Sequence, residues 1–479
     1  MKITFLHNPY YFQEYMENVS FTANNFGVLP PLGMMYASAL LKEEGYETQI
    51  VDVKAEGLSE QEVKQKIEDF DPDVIGVMVI PYTGGIAMEW AERMDEWFDV
   101  PIVAGNYGVQ LYPEAVLSND FIDYINIGSA RNTLSKLLEY IDGNRESIEG
   151  VEGLGYKTDD GEMFINDREK RTEDFDRLPW PDRDAIDNSN YTSMLARKRP
   201  FTLVVTSYGC IYNCDFCDMG SFGYSERTPE DVVDEIEYCV EEYGVKEIDI
   251  FDRDFLIKKE KAREICKEMI DRDIEVDWSC RARVDEVNEG LLELMSDAGC
   301  RAILYGIESG DQRILDTEHK GITLEEIRKG LRMTKDAGID TLGFFIIGHE
   351  GETEETIRQT IEMSKELPID YAQFFRMSGK PGASLYDQIT DELGYDYFEK
   401  LIRGEEVVRD LPRPWTKFSN DELEEFVLEA YREFYLRPEF IIGELRRARS
   451  FRRLMEISKV GAEFIYDNIR HFLKELGGG

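Results

Sequence analysis

The chain has 479 residues, 42% of them hydrophobic, enough for two or three cores of ordinary size, which excludes a disulfide miniprotein and a disordered chain. Lys and Arg number 55 against 98 Asp and Glu, and the formal net charge of −43 argues against nucleic-acid binding through a broad basic face. Such acidity holds proteins soluble in strong salt and predicts a salt-adapted source.

The chain opens on Met1-Lys-Ile-Thr-Phe-Leu-His-Asn-Pro9, a buried-strand pattern with no basic region, long apolar segment or small-residue cleavage site behind it. A cytoplasmic location is expected. No apolar run reaches the roughly eighteen residues of a membrane span. Seven cysteines, an odd number, point to thiols or metal ligands over disulfides.

From residue 1 to about 140, short apolar runs alternate with amphipathic stretches. Strands are predicted at Ile3–Leu6, Thr48–Val53, Val74–Ile80, Pro101–Ala104 and Tyr124–Ile127, and helices at Gly33–Glu44, Ser59–Phe70, Ile86–Phe98 and Thr133–Tyr140. This is the pattern of an α/β doubly wound parallel sheet, whose ligands sit at the carboxyl ends of the strands. A hairpin at Leu154–Asn166 and an extended linker around Leu178-Pro-Trp-Pro181 follow, so the predicted divisions are 1–145 for the first domain and 146–195 for hairpin and linker.

A second βα series predicts strands at Thr202–Thr206, Glu247–Phe251, Glu275–Ser279, Ala302–Gly306, Thr341–Ile347 and Tyr371–Phe375. Helices are predicted at Pro229–Tyr243, Lys259–Arg272, Glu289–Ala298, Leu324–Ala337 and Glu354–Glu366. Six units over 196–390 fit a partial (β/α)6 barrel with function on the loops after each strand. Residues 391–479 form a helical C-terminal region.

Cys210, Cys214 and Cys217 lie in the loop leaving the first strand of the second series, in Tyr208-Gly-Cys-Ile-Tyr-Asn-Cys-Asp-Phe-Cys217. Three thiolates at this spacing can wrap one face of a cube-shaped 4Fe-4S cluster, leaving the fourth iron open. A structural zinc would want a fourth Cys or His nearby, and none is present.

The CxxxCxxC spacing, with Phe216 before the last cysteine, resembles the radical S-adenosylmethionine (radical SAM) superfamily. That resemblance implies that the open iron binds S-adenosylmethionine and that an electron from the cluster cleaves its sulfonium to a 5′-deoxyadenosyl radical. It further implies cofactor contacts at successive strand ends. Asp252 and Asp254 stand where members hold the methionyl amino group. Arg281, with Arg283, suits the carboxylate, and Glu308 suits the ribose hydroxyls or the amino group. Ile346 and Gly348 lie in the adenine-contacting segment, with Glu350 where proline is common. Cys280 and Cys300 are expected at opposite ends of the barrel and, like Cys239 and Cys266, as buried structural thiols, with Cys280 the exception to watch because the end of the third strand faces the radical site.

A five-stranded parallel sheet ahead of such a barrel resembles the cobalamin-binding radical SAM class, which includes methyltransferases and the anaerobic magnesium-protoporphyrin ester cyclase. The class implies a corrin on the carboxyl edge of the sheet, against Pro31, Gly33, Thr83, Gly84, Gly105 and Gly128. This chain reads Ala104-Gly-Asn-Tyr107 and Gly128-Ser-Ala-Arg131 where many members read Gly-Gly-Pro-His and Gly-Glu-Gly-Glu. It also lacks the Asp-x-His-x-x-Gly segment that ligates cobalt in other cobalamin proteins. A domain kept as lid or substrate platform is the other reading.

These features predict a cytoplasmic enzyme that abstracts hydrogen from an unactivated carbon of a small or lipid-like substrate and takes electrons from a ferredoxin or flavodoxin. With cobalamin the outcome is methyl transfer; without it, oxidative cyclisation or carbon-carbon coupling. A methylthiotransferase would need three further cluster cysteines, and no cysteine precedes Cys210. A non-catalytic iron-sulfur protein for electron transfer or sensing is the rival from another class. The basic run Arg446–Arg453 either meets an anionic headgroup or membrane surface, or pairs with acidic faces of its own chain.

Overall fold

The structure of the chain, a computed structural model, describes residues 1–9, 27–158, 160–167, 178–193, 195–218, 223–408 and 410–447. It divides into two units, one drawn from Met1–Tyr11, Val28–Tyr191 and Leu393–Leu411, the other from Phe12–Gly27, Thr192–Glu392 and Pro412–Gly479.

In the first unit, β1 (Lys2–His7), β2 (Glu47–Asp52), β3 (Val74–Met78), β4 (Ile102–Gly105) and β5 (Tyr124–Asn126) pair in parallel in the order β2-β1-β3-β4-β5. The sheet reads as near-continuous apolar runs because helices cover both faces. Leu6, Val51, Val77 and Ala104 pack on one face with Val63 and Met94, while Ile3, Phe5, Ile50 and Val103 pack on the other with Met35 and Leu137. The predicted hairpin forms as β6 (Leu154–Lys157) and β7 (Met163–Ile165) and widens this sheet with antiparallel pairings. The order turns back at β1, so the switch point lies between β1 and β3, where doubly wound sheets open a crevice at their carboxyl ends.

Segment 393–411 also belongs to this unit. Its helix Tyr397–Ile402 packs against the helix Gly84–Trp97, with Ile402 fully buried and Phe398 edge-on to Tyr82 at 5.4 Å between ring centroids. Sequence periodicity groups this segment with the C-terminal helices, because only packing shows where it returns.

In the second unit, β8 (Phe201–Val204), β11 (Glu247–Ile250), β12 (Asp277–Ala282), β13 (Cys300–Glu308), β14 (Asp340–Ile347) and β15 (Tyr371–Arg376) pair in chain order, all parallel, as a partial barrel. A short hairpin, β9 (Ser207–Gly209) with β10 (Tyr224–Glu226), brackets the cysteine loop. The helices fall close to the predicted ranges, and local signals explain their ends. Thr228 caps Pro229–Tyr243 by accepting from Asp231 N, and Gly244 closes it in the left-handed region at φ 62°. The helix Asn420–Tyr435 covers the edge strand β15, whose backbone it satisfies: Phe374 N donates to the Tyr431 hydroxyl and Ala372 N to that of Tyr435.

One strand departs from expectation in a way that matters. The run predicted at Glu275–Ser279 forms as Asp277–Ala282, so Arg281 lies within the strand. Cys280 and Cys300 are buried thiols, as expected, but they do not lie at opposite ends of the barrel. Both are buried in the same core, where burial and the neighbouring Cys300 thiol push the Cys280 thiol up. Of the basic run, Arg446 and Arg447 end the helix Pro438–Arg447 and the remainder lies outside the described residues, as does the predicted helix beyond it. No helix among the described residues is long and apolar enough to cross a membrane.

Candidate active site

The cysteine loop is anchored before it begins. Asp252, buried beyond β11, accepts from Thr206 N and Oγ1 at 2.7 and 2.5 Å and from Ser207 N and Oγ at 3.1 and 2.7 Å. Gly209 then holds φ at 82°, with the space a Cβ would need taken by the Gly223 carbonyl oxygen. Cys210, Cys214 and Cys217 follow as free thiols, each half-buried, with a turn closed by Cys217 N donating to Cys214 O at 2.9 Å.

Cations crowd this loop. Arg283 lies over the Tyr212 ring at 4.1 Å and donates to Lys320 O at 2.8 Å. Lys320 is buried, pairs with Glu308 at 2.8 Å and stands 5.8 Å over the Phe216 ring. Burial raises the Cys214 thiol above its ordinary value; the Lys320 and Arg283 charges oppose that rise and the Glu308 charge adds to it. On its other side the Phe216 ring meets His349 edge-on at 6.5 Å.

The strand ends supply a ring of buried polar groups. Asp254 Oδ1 accepts from Leu256 N at 3.0 Å while Oδ2 has no partner, and burial followed by the Glu286 charge raises its carboxyl. Glu286 takes the Tyr212 hydroxyl on one oxygen and has none on the other. Beyond β14, Gly348 sits at φ 98°, its carbonyl accepting from Trp415 Nε1 at 2.9 Å. Gly348 N and His349 N both donate to Glu352. His349 Nδ1 pairs with Glu318 at 2.9 Å and its Nε2 is unpartnered. Ile346, half-buried, alternates with the sealed Phe345 and Ile347.

The structure therefore brings Phe216, Asp254, Glu308, Ile346 and Gly348 to the carboxyl ends of the barrel strands. Asp252 is engaged as the loop's anchor, and the Arg281 fork is engaged by Asp249 at 3.0 Å through both terminal nitrogens. Sequence reasoning missed Lys320, Glu286 and Glu318. Charged residues in loops read as solvated, and only burial marks these as part of a site.

These residues fit an iron-sulfur cluster and a zwitterionic ligand. Among the described residues no group of three or more His, Cys, Asp and Glu side chains is gathered as a single metal ion requires, whereas a cluster spreads its ligands over several irons. The orphaned oxygens of Asp254, Glu286, Glu318 and Glu352, with His349 Nε2, are buried acceptors and donors without partners, as a polar ligand's site presents before binding.

In the first unit, the predicted corrin contacts divide. Pro31 precedes the helix Leu32–Glu43, and beside Gly33 the nearest atom to an added Cβ is Asn106 Nδ2 at 3.6 Å. Gly105, ending β4, has nothing closer than Asn126 O at 3.9 Å. Room for a close approach remains at both. Thr83 is buried in the turn before the helix, Gly84 gives its space to Ile402, with 2.6 Å to Cγ1, and Gly128 gives its own to Thr133. His7, which the sequence did not single out, ends β1 with its Nδ1 on Asp52 at 2.9 Å.

Comparison with known proteins matches residues 204–364 to the radical SAM superfamily and residues 21–138 to the B12 binding domain. An uncharacterised methyltransferase of Pyrococcus horikoshii is 30% identical over 430 residues, covering 88% of this chain and 91% of its own. The anaerobic magnesium-protoporphyrin IX monomethyl ester cyclase of Rubrivivax gelatinosus is 29% identical, covering 92% and 78%. Among solved structures, the radical SAM methyltransferase TsrM from Kitasatospora setae with cobalamin and a [4Fe-4S] cluster bound superposes with a TM-score of 0.63 at 20% identity, over 81% of this chain and 78% of that one. The cobalamin-dependent radical enzyme OxsB with aqua-cobalamin and S-adenosylmethionine bound gives 0.61 at 18% identity, over 90% and 61%. These superpositions show a shared fold.

Proposed function

The chain belongs to the radical SAM superfamily, in the class with an N-terminal B12-binding domain, and from that premise we propose a cobalamin-dependent methyltransferase acting on an unactivated carbon. The observation that carries this reading is the free cysteine triad after the first barrel strand, preceded in the same chain by a doubly wound sheet with room at Gly33 and Gly105.

When bound, the cluster and S-adenosylmethionine supply a radical able to take hydrogen from carbon, and cobalamin supplies a methyl carrier. Cys210, Cys214 and Cys217 would hold three irons. Lys320 and Arg283 would offset the thiolate charge, and the buried Lys320–Glu308 pair backs the Phe216 ring. Asp254 and Glu286 present oxygens for an ammonium group, and Ile346 and Gly348 a surface for the adenine. Enzymes of this superfamily need a reductant, for which a ferredoxin or flavodoxin is suited. The substrate would be a small or lipid-like molecule, and the net charge of −43 supports a salt-rich cytoplasm as the setting.

Likeness to the cyclase over most of the chain favours a second reading, oxidative cyclisation. The test is anaerobic production with cobalamin supplied, reading iron, sulfide, corrinoid absorption and 5′-deoxyadenosine after reduction with S-adenosylmethionine. Four irons with corrinoid and product support methyl transfer. Product without corrinoid turns the reading to cyclisation or coupling, and absence of a cluster overturns both.

A further inference from the structure

Towards their carboxyl ends the barrel strands alternate between a sealed face and an open one. Ile250, Cys280, Phe345 and Phe374 are sealed in the core that the strands share with the helices. Their chain neighbours Phe251, Arg281, Phe344 and Phe375 point the other way, into the barrel, and are only half-buried. A barrel interior that serves packing alone is filled by its own side chains. An apolar interior left open around one charged group is the lining of a ligand site.

That charged group has a free edge. Arg281 Nη1 and Nη2 donate to the two Asp249 oxygens at 3.0 Å each, and Nη1 also reaches Ile250 O at 3.4 Å. These bonds take three of a guanidinium's five N–H groups. The two that remain, on Nε and Nη2, share one edge of the plane and form a second fork matched to a carboxylate. No described residue accepts from Nε. The plane lies on the Phe251 ring, 4.5 Å from its centroid, so stacking and the buried Asp249 fix the fork before anything binds. Beyond β13, the Phe344 and Phe375 rings stand 6.1 Å apart and tilted by 40°.

The depth of this fork separates it from the cofactor's place. Asp254 and Glu286 present their oxygens beyond the strand ends, whereas Asp249 lies within β11 and Arg281 pairs in register with Leu304, well before Glu308 at the end of β13. We propose that the substrate is an aromatic carboxylate, held by its carboxylate on the Nε and Nη2 edge of Arg281 and by its ring against Phe344 and Phe375. This deepens the reading above and rests on it in that the molecule inside the barrel is the one the radical attacks. A lysine would neutralise Asp249 equally well. Only arginine has a second fork to offer.

The experiment uses the full chain with its cluster and S-adenosylmethionine in place and 2-naphthoate as the probe, with binding measured by equilibrium dialysis against 2-naphthamide and decahydro-2-naphthoate. The naphthoate is expected to bind about tenfold or more tightly than the uncharged amide, and severalfold more tightly than the saturated acid. Arg281→Gln should remove the preference over the amide. Phe375→Leu should weaken naphthoate and amide alike, and with the three native affinities it keeps the proposal falsifiable should Arg281→Gln fail to fold. Equal binding of naphthoate and amide, or of the flat and saturated acids, overturns the assignment. So does an Arg281→Gln chain whose affinity for S-adenosylmethionine falls as far as that for naphthoate, which would put the fork on the methionyl carboxylate. The same preparation is assayed for 5′-deoxyadenosine after reduction. Cleavage without a preference for naphthoate overturns the substrate class alone, and no cleavage overturns the radical reading together with it.

Discussion

Lys320 Nζ lies 2.8 Å from Glu308 Oε1, with 9% and 7% of the two side chains exposed. Gly306 lets them meet, since a Cβ there would occupy the space of both charged groups. The pair closes the floor beneath Phe216, and Glu308 adopts φ 66° to reach it.

Breaking this pair should cost more than removing it. Lys320→Met leaves a buried carboxylate uncompensated and is expected to lose about 3–5 kcal/mol of stability, while Lys320→Met with Glu308→Gln should recover most of that. Urea unfolding of the three variants checks it. A single-variant loss below about 1 kcal/mol would mean the pair behaves as a solvated surface bridge.

Gly209→Ala should empty the cysteine loop without unfolding the barrel. The position needs φ 82° and has no room for a Cβ beside Gly223 O, so the loop that presents Cys210 must shift. Iron and sulfide per chain are expected to fall several-fold, with far-ultraviolet circular dichroism unchanged. Full iron content would show that the loop tolerates the change.

The fit of Ile402 over Gly84 predicts non-additive energetics. Gly84→Ala overpacks the contact and is expected to cost about 1–3 kcal/mol. Ile402→Ala leaves a cavity and should cost about 2–5 kcal/mol. Together they should cost less than the sum, because the new methyl enters the vacated space. Thermal unfolding in parallel tests this, and strict additivity would separate segment 393–411 from the first unit.

Asp52 should contribute stability with a defined pH dependence. Its carboxyl is held below the ordinary value by His7, Ala55 and Tyr191 acting against burial. Its contribution is therefore present above the unfolded value of about 3.9 and is lost as pH falls through the folded value. The stability gap between the native chain and Asp52→Asn is expected to be largest near neutrality and to shrink in acid. Urea midpoints at several pH values measure it, and a gap that grows in acid would reverse the sign.

Local chemistry made much of this legible. Alternating apolar runs and helix patterns announced both βα series, and the spacing of Cys210, Cys214 and Cys217 marked the candidate site, because both signals are written in consecutive residues. The strand at Asp277–Ala282 runs a few residues beyond the predicted one because the polar Ser279 and Arg281 are held within the sheet by Asp249, a partner that their own stretch of sequence does not announce. That extension puts Cys280 into the core beside Cys300.

The sequence by itself determined the fold class, the order of the two βα series and the place of the cysteine triad after the first barrel strand, since periodicity and spacing are properties of one stretch of chain. Only the tertiary structure decided which charges are buried together. Lys320 meets Glu308, Glu318 meets His349, and Asp52 joins His7 to Tyr191 across separations of 12 to 139 residues. Folding removes these groups from water, and a polar group without water must take its partner from whatever the topology brings near.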